Sequence, residues 1–153
     1  MSSIFDKNVE HLYEFNLSTY VGEENLVVFD DLALETNQSV IDNYAIRCRH
    51  MNVSMIYISQ DWFKCSPCLR RNLSLILLKH IAKQSDLDKI YQNCDSIAIS
   101  KEKFRKIYKF ATKSDDENDP NDKSNFLLID CYAPNPANMY RRNLKVIDTD
   151  AII

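Results

Sequence analysis

Two adjacent carboxylates, Asp30 and Asp31, directly follow a run of four apolar residues that ends at Phe29. A short, unbroken apolar run is typical of a strand buried on both faces of a parallel sheet, although a buried helix has the same pattern. Open α/β sheets bind ligands at the carboxyl ends of their strands. There one acid can hold a Mg²⁺ ion and the next can polarise an attacking water. The pattern fits a Walker B motif, and it equally fits a strand followed by an acidic turn.

Two further polar features accompany later apolar runs. Ser59-Gln60 ends the run Val53–Ser59, and Arg70 lies just before the run Leu73–Leu78. Apolar residues at helical spacing over Ser39–Arg49 separate the first two runs, so the sequence predicts a strand–helix–strand unit with parallel strands. An acid pair, an amide that senses a γ-phosphate and a guanidinium that meets developing charge would together form a phosphoryl-transfer site.

The overall composition limits the classes of protein to consider. A chain of 153 residues with 45% hydrophobic and 27% charged residues predicts one globular domain, residues 1–153, with a sizeable core. A net charge of −3 excludes a global nucleic-acid signature, so any basic site must be local. No apolar run approaches the roughly 20 residues of a membrane span, and the first residues lack a signal peptide's apolar centre. Five cysteines, an odd count, favour free thiols in a reducing compartment.

The glycine content carries the strongest exclusion. Gly22 is the single glycine of the chain, whereas every phosphate-cradling loop needs at least two. Such a loop therefore cannot be built from this sequence.

The rest of the chain reads as further elements of an α/β domain. Ser100 is predicted to cap a helix whose Phe104, Ile107, Tyr108 and Ala111 repeat at helical spacing. The other predicted elements are a short helix that begins near Ser85, a mobile acidic loop over Lys113–Asn125, a fourth strand at Phe126–Ile129 and an edge strand at Asn143–Ile147.

The order of these motifs resembles a known family. The segments NLVVFDDL, RCRHMNVSMIYISQ and SPCLRRNLSLILLK, followed by FLLID and YRRN, are similar to the viral genome-packaging ATPases of the FtsK–HerA superfamily. The resemblance extends over Asn25–Ile147. It implies the core fold of a RecA-like P-loop ATPase, an α/β domain with a mostly parallel sheet flanked by helices. It also implies an ATP-driven translocase that packages double-stranded DNA into a capsid.

The resemblance also implies roles for individual residues. Asp30 would be the Mg²⁺-associated acid, Asp31 would activate water, Gln60 would be the polar sensor, and Arg70 would be an arginine finger acting on a neighbouring subunit. The family also keeps an asparagine at the position of Asn72. Mg²⁺ and ATP would be the cofactors, without zinc. The partners would be double-stranded DNA, further copies in a ring and a capsid vertex or portal component, without a membrane. The location would be the host cytoplasm, in a virus factory, or the virion.

One departure from the family stands out. The family begins with a glycine-rich P-loop, the Walker A motif, well before the Walker B strand, and this sequence lacks it. The chain is thus expected to be a fragment, a product of a split gene, or a degenerate homologue, equivalent to the carboxy-terminal two-thirds of the core from Walker B onward. By itself it should not hydrolyse ATP, and one sheet face should be exposed. The alternative is a non-catalytic subunit or interaction module derived from such an ATPase. A third possibility is another sheet protein in which Asp30-Asp31 is merely structural.

Two other features leave choices open. Cys65 and Cys68 have the spacing of half a zinc site or of a redox pair, although no second half-site exists and the pair is expected in a loop. The segment Lys101–Lys113 carries six basic residues against Glu102. It reads either as a DNA-facing helix or as a solvated face balanced by the acids of the following loop, and the second reading is favoured.

Overall fold

The computed structural model describes residues 25–32, 38–93, 99–115, 118–119 and 122–152. The Gly22 turn and part of the acidic loop fall outside these residues. The chain forms two compact units, residues 1–73 (unit 1) and 74–153 (unit 2). The single domain predicted from length stays a prediction, because cooperative unfolding would decide it.

Unit 1 contains the predicted strand–helix–strand arrangement. Strand β1, Asn25–Asp30, pairs in parallel with β2, Val53–Ile58, and the register runs from Asn25 opposite Val53 to Asp30 opposite Ile58. Helix α1, Ser39–Arg47, and a 3₁₀ turn, Cys48–Met51, form the crossover. The chain enters β2 through Asn52, whose φ of 54° lies in the left-handed region that asparagine tolerates. The prediction of an α/β fold with a parallel strand pair is confirmed.

The core of unit 1 lies on one face of this sheet. Phe29 and Tyr44 are buried with ring centroids 5.4 Å apart in an edge-to-face arrangement, and Leu69 of the short helix α2, Pro67–Arg71, packs with them. On the other face, three large apolar side chains are 46–48% exposed: Leu26, Ile56 and Ile58. Parallel sheets normally bury both faces. The exposed apolar face expected from the sequence is therefore present.

Unit 2 is built on a second sheet, which is antiparallel. Its strands follow the order β3-β4-β5-β6, namely Leu75–Leu78, Leu127–Asp130, Tyr140–Arg142 and Lys145–Val146. These strands depart from the mostly parallel sheet that the sequence predicted. Antiparallel strands can be joined by a two-residue turn, whereas parallel strands need a long crossover. The turn Asn143-Leu144 between β5 and β6 is such a connection, and Asn143 has the required positive φ of 54°.

Two helices complete unit 2: α3, Gln84–Asn93, and α4, Lys101–Thr112. The Ser100 hydroxyl accepts a hydrogen bond from the Lys103 amide at 3.2 Å, which confirms the predicted cap. The apolar residues predicted from helical spacing are buried: Phe104, Ile107, Tyr108 and Ala111. No helix within the described residues is both long and apolar enough to span a membrane.

Candidate functional site

The two predicted acids stand at the carboxyl end of β1. Asp30 is the last residue of the strand, and the Asp31 amide extends the pairing by donating to the Ile58 carbonyl at 3.1 Å. Both residues are exposed, and neither carboxylate makes a hydrogen bond or ion pair within the described part of the chain. Asp31 has a φ of 53°, in the left-handed region. Adjacent, unpaired carboxylates offer the hard oxygen ligands that a hydrated Mg²⁺ ion takes.

Gln60 leaves the sheet at the same edge. Strand β2 ends at Ile58, which lies opposite Asp30, so the residues after both parallel strands emerge together. The Ser59 hydroxyl donates to the Asp61 carbonyl at 3.0 Å and accepts from the Asp61 amide at 3.2 Å, which fixes the turn around Gln60. The Gln60 side chain is exposed. The structure thus brings the acids and the amide to one edge, while their roles in hydrolysis stay predictions.

Tyr57 is a neighbour of this edge that sequence reasoning missed. It lies opposite Phe29, two residues before Asp31, and interacts electrostatically with the Asp31 carboxylate. Burial raises the pKa of the Tyr57 hydroxyl, and electrostatic interactions with Cys65 and Asp31 raise it further, whereas Gln38 lowers it. Tyr57 therefore stays a neutral phenol that faces the charge of Asp31. The alternation of side chains along β2 was the signal that could have identified it.

Arg70 lies on α2 and is less accessible than an arginine finger was expected to be. Its Nη1 donates to the carbonyls of Cys65 at 2.8 Å and Trp62 at 3.3 Å, and the side chain is half-buried. The backbone before α2 turns its carbonyls toward the arginine, which accounts for the difference. The other terminal nitrogen, Nη2, makes no hydrogen bond with the described residues. Arg70 therefore braces the loop through one terminal nitrogen, while the other has no hydrogen-bond partner among the described residues.

The position of α2 is fixed by contacts with the crossover helix. The Ser66 hydroxyl accepts from the Leu69 amide at 2.9 Å and donates to the Asp42 carboxylate of α1. At the other end of α2, Arg49 donates to the Asn72 backbone carbonyl at 3.0 Å, and the Nδ2 of the Asn72 side chain donates to the Cys68 carbonyl at 2.9 Å. Arg49 and Asn72 thus hold the helix that carries Arg70.

The cysteine pair flanks the start of α2, and Cys68 lies within this helix rather than in the expected loop. Both thiols are free. Burial raises the pKa of the Cys65 thiol, although Ser59 and Arg70 lower it. A redox-active or metal-binding cysteine requires the thiolate, so this environment disfavours both chemistries. The described residues contain no cluster of three or more histidine, cysteine or acidic side chains placed to hold a metal.

The basic segment at α4 is partly neutralised within unit 2. Asp88 of α3 accepts from Arg105 at 2.7 Å and pairs with Lys101 at 3.0 Å, while Lys103 pairs with Asp150 at 3.1 Å. The pKa of the Asp88 carboxyl is held well below its usual range, first by the hydrogen bond from Arg105 and then by Lys101. Within the described residues, the acids that pair with the cations of α4 therefore come from α3 and from the chain after β6.

The chain is similar to a protein family and to a solved structure. The family model of the poxvirus A32 protein matches residues 3–120. No curated protein matches the chain. Among solved structures, the genome packaging NTPase B204 from Sulfolobus turreted icosahedral virus 2, in complex with ATP-γS, is 18% identical with a TM-score of 0.49. The match covers 71% of this chain and 48% of that one, so the chain spans about half of that NTPase. Because the family model covers well over half of the sequence, the protein belongs to the poxvirus A32 family.

Proposed function

We propose that the protein forms the Walker B side of an ATPase that drives double-stranded DNA into a viral capsid. The observation that carries this proposal is the parallel register of β1 and β2, which brings Asp30, Asp31 and Gln60 to one sheet edge. Membership of the A32 family supports the same reading. The ring of subunits, the capsid vertex or portal partner, and a location in a virus factory or virion belong to this proposal.

Each residue of the edge has a defined task in the proposal. Asp30 holds Mg²⁺ through its exposed carboxylate, and Asp31 orients and polarises the attacking water. Gln60 contacts the γ-phosphate, and the unoccupied Nη2 of Arg70 stabilises charge in the site of a neighbouring subunit. Bound MgATP supplies the phosphoanhydride bond that is broken. The left-handed backbone of Asp31 changes the course of the chain directly after Asp30.

The phosphate cradle has to come from a polypeptide segment that carries a P-loop. Backbone amides of a glycine-rich loop, a lysine and a helix amino terminus hold the phosphates in such enzymes. This sequence has one glycine and no Gly-Lys-Ser/Thr motif. The carboxylates fit the metal, whereas the sequence offers no glycine-rich loop to cradle the triphosphate. Residues 1–153 alone are therefore expected to bind ATP more weakly than about 1 mM.

A chimera tests the proposal. Residues 25–152 would replace the segment from Walker B onward in a complete, active ATPase of the family, and steady-state ATP hydrolysis would be measured. We expect Asp31→Asn to slow hydrolysis by about 10²- to 10⁴-fold, the range for general bases, with nucleotide affinity nearly unchanged. Glu102→Gln, which removes an exposed carboxylate from α4, is the matched control and should hydrolyse normally.

Two results would contradict the catalytic reading. An active chimera in which Asp31→Asn hydrolyses normally would show that Asp31 is not the activating residue. Micromolar binding of a fluorescent ATP analogue by the isolated chain would show that a loop other than a glycine-rich one holds the phosphates.

A second candidate function is a non-catalytic interaction module. The exposed apolar face of Leu26, Ile56 and Ile58 favours it, because such a face is suited to association with another protein surface. A chimera that is folded and binds nucleotide but hydrolyses none would support this candidate and exclude catalysis by the β1 edge.

A further inference from the structure

Two lysines of α4 and the C-cap residue that follows it, Lys113, lie on the outward face of this helix. Lys106, Lys109 and Lys113 follow each other at intervals of three and four residues, which places them on one side of the helix. This side is opposite the buried face that contains Phe104 and Ile107. All three lysines are exposed, and their ammonium groups make no ion pair with any described residue. We call Lys106, Lys109 and Lys113 the outward lysines.

The basic residues on the flanks of the same helix are paired instead. Lys101 and Arg105 meet Asp88 on the side of α3, and Lys103 meets Asp150. Among the described residues, unit 2 therefore pairs the flanking cations of α4 but not the outward lysines. Glu102 is the one acid on the outward side, at its amino-terminal end.

The spacing of the outward lysines matches a duplex backbone. An α-helix rises 1.5 Å per residue, so the first and last of them are separated by about 10 Å along the helix. The phosphates of one DNA strand recur about every 3.4 Å along the duplex axis, so three lysines span about three phosphates. A helix lying along the backbone can therefore place each ammonium group near a phosphate.

Other polyanionic partners fit this face less well. An amphipathic helix that lies on a membrane inserts its apolar face, but the apolar face of α4 is buried in unit 2, with Phe104, Ile107 and Ala111 fully inaccessible. Single-stranded nucleic acid is bound on aromatic platforms. The exposed aromatic ring of α4, Phe110, lies on a flank and is covered by the Arg142 guanidinium, 5.4 Å from its centroid.

We infer that the outward lysines of α4 contact the phosphate backbone of double-stranded DNA without reading its sequence. The inference rests on the proposed function, because it assigns the DNA contact of that translocase to a surface of unit 2. It also gives the basic segment the role that its composition alone disfavoured.

Salt-dependent binding tests the inference on the full chain. Affinity for a fluorescent duplex of mixed sequence would be measured between about 50 and 200 mM salt, the range in which phosphate contacts dominate. Each neutralised phosphate contributes about −0.9 to the slope of log K against log salt. The triple variant Lys106→Gln, Lys109→Gln, Lys113→Gln should lower the magnitude of this slope by about 3 and weaken binding.

A second triple variant is matched to the first in charge. Lys101→Gln, Lys103→Gln, Arg105→Gln removes the same number of positive charges from the paired flanks and should leave the slope close to that of the unmodified chain. Circular dichroism would establish that both variants are folded. Equal losses in the two variants would reveal a net-charge effect and overturn the inference. Absence of duplex binding by the unmodified chain, or binding to anionic vesicles instead of DNA, would also overturn it.

The outcome can be separated from the fate of the proposed function. In the ATPase chimera, the outward variant should retain hydrolysis in the absence of DNA, because its lysines lie on α4 and not at the β1 edge. Normal duplex binding by the outward variant, combined with slow hydrolysis by Asp31→Asn, would reject this surface and keep the function. Normal hydrolysis by Asp31→Asn, combined with the expected change in slope, would reject the catalytic role of Asp31 and keep the DNA contact of the outward lysines.

Discussion

At the sheet edge of unit 1 the carboxylates of Asp30 and Asp31 have no partner among the described residues, whereas in unit 2 Asp88 is shared by Lys101 and Arg105. Both groups are near the surface, so burial does not account for the difference. Two carboxylates on adjacent residues repel each other, and a bound cation offsets that repulsion. The contrast teaches that unit 2 satisfies much of its charge internally, while the acids at the edge of unit 1 stay unpaired within the described residues, as the proposed Mg²⁺ site requires.

Arg70 offers the largest test of this contrast. In the ATPase chimera, we expect Arg70→Ala to slow hydrolysis by about 10³-fold, the scale of an arginine finger, because its Nη2 is free for transition-state charge. Arg71→Ala is the matched control, since the exposed neighbour bonds only to the Pro67 carbonyl of its own helix. Steady-state hydrolysis and thermal unfolding would both be measured.

The unfolding measurement separates the two roles of Arg70. If it serves only to hold the carbonyls of Trp62 and Cys65, Arg70→Ala would lower the melting temperature and leave hydrolysis unchanged. That result would make Arg70 a structural residue and leave the ligand-binding groups of unit 1 at Asp30, Asp31 and Gln60.

Core truncations test whether the two units are one folding domain. Phe29 is buried in unit 1 and Phe104 in unit 2, so replacing either with alanine should cost about 3–5 kcal/mol of unfolding free energy. If residues 1–153 form one domain, each variant should shift a single transition measured by circular dichroism in urea. Two transitions, each sensitive to one variant only, would contradict the single-domain prediction and make the comparison one between independent domains.

The smallest effect concerns the ion pairs of unit 2. The pKa of Asp88 is depressed in the folded protein, so its pairing stabilises the fold above the unfolded pKa of about 3.9, and this contribution is lost as the pH falls below it. Asp88→Asn should therefore lower the melting temperature slightly at pH 7, and the difference should shrink below about pH 4.

Asp86→Asn is the control for this experiment. Asp86 lies two residues before Asp88 on the same helix and pairs only loosely with Lys89, at 3.9 Å. Added salt should also reduce the Asp88 effect, since its partners are exposed. A difference that grows on acidification would show that the Asp88 pairing does not favour the folded state.

The sequence predicted unit 1 better than unit 2, for a physical reason. Helical spacing after Ser39 and continuous apolar runs at β1 and β2 define a crossover, and a crossover implies parallel strands. In unit 2, Leu127, Leu128 and Ile129 are all buried, so β4 has the apolar run typical of a parallel strand although it pairs antiparallel. Its neighbours are set by turns and long-range packing, which a single sequence leaves open.

The sequence predicted one part of the candidate site and not the other. The position of Asp30, Asp31 and Gln60 at one edge followed from strand order. The Tyr57 environment and the carbonyl bonds of Arg70 depend on how α2 folds against α1, through Ser66 and Asp42, and no local pattern specifies that contact. The sequence thus predicted the site residues that lie at strand ends, but not those whose environment depends on tertiary packing.

The left-handed backbone of Asp31 has an evolutionary consequence. Apart from glycine, asparagine and aspartate adopt this conformation most readily. One nucleotide substitution in an aspartate codon yields asparagine, which preserves the shape and the backbone preference but abolishes the negative charge. At the residue proposed to activate water, the shortest mutational path therefore removes the chemistry and spares the fold. Such a gene can therefore evolve into one that encodes a stable but inactive protein, without an intermediate variant that fails to fold.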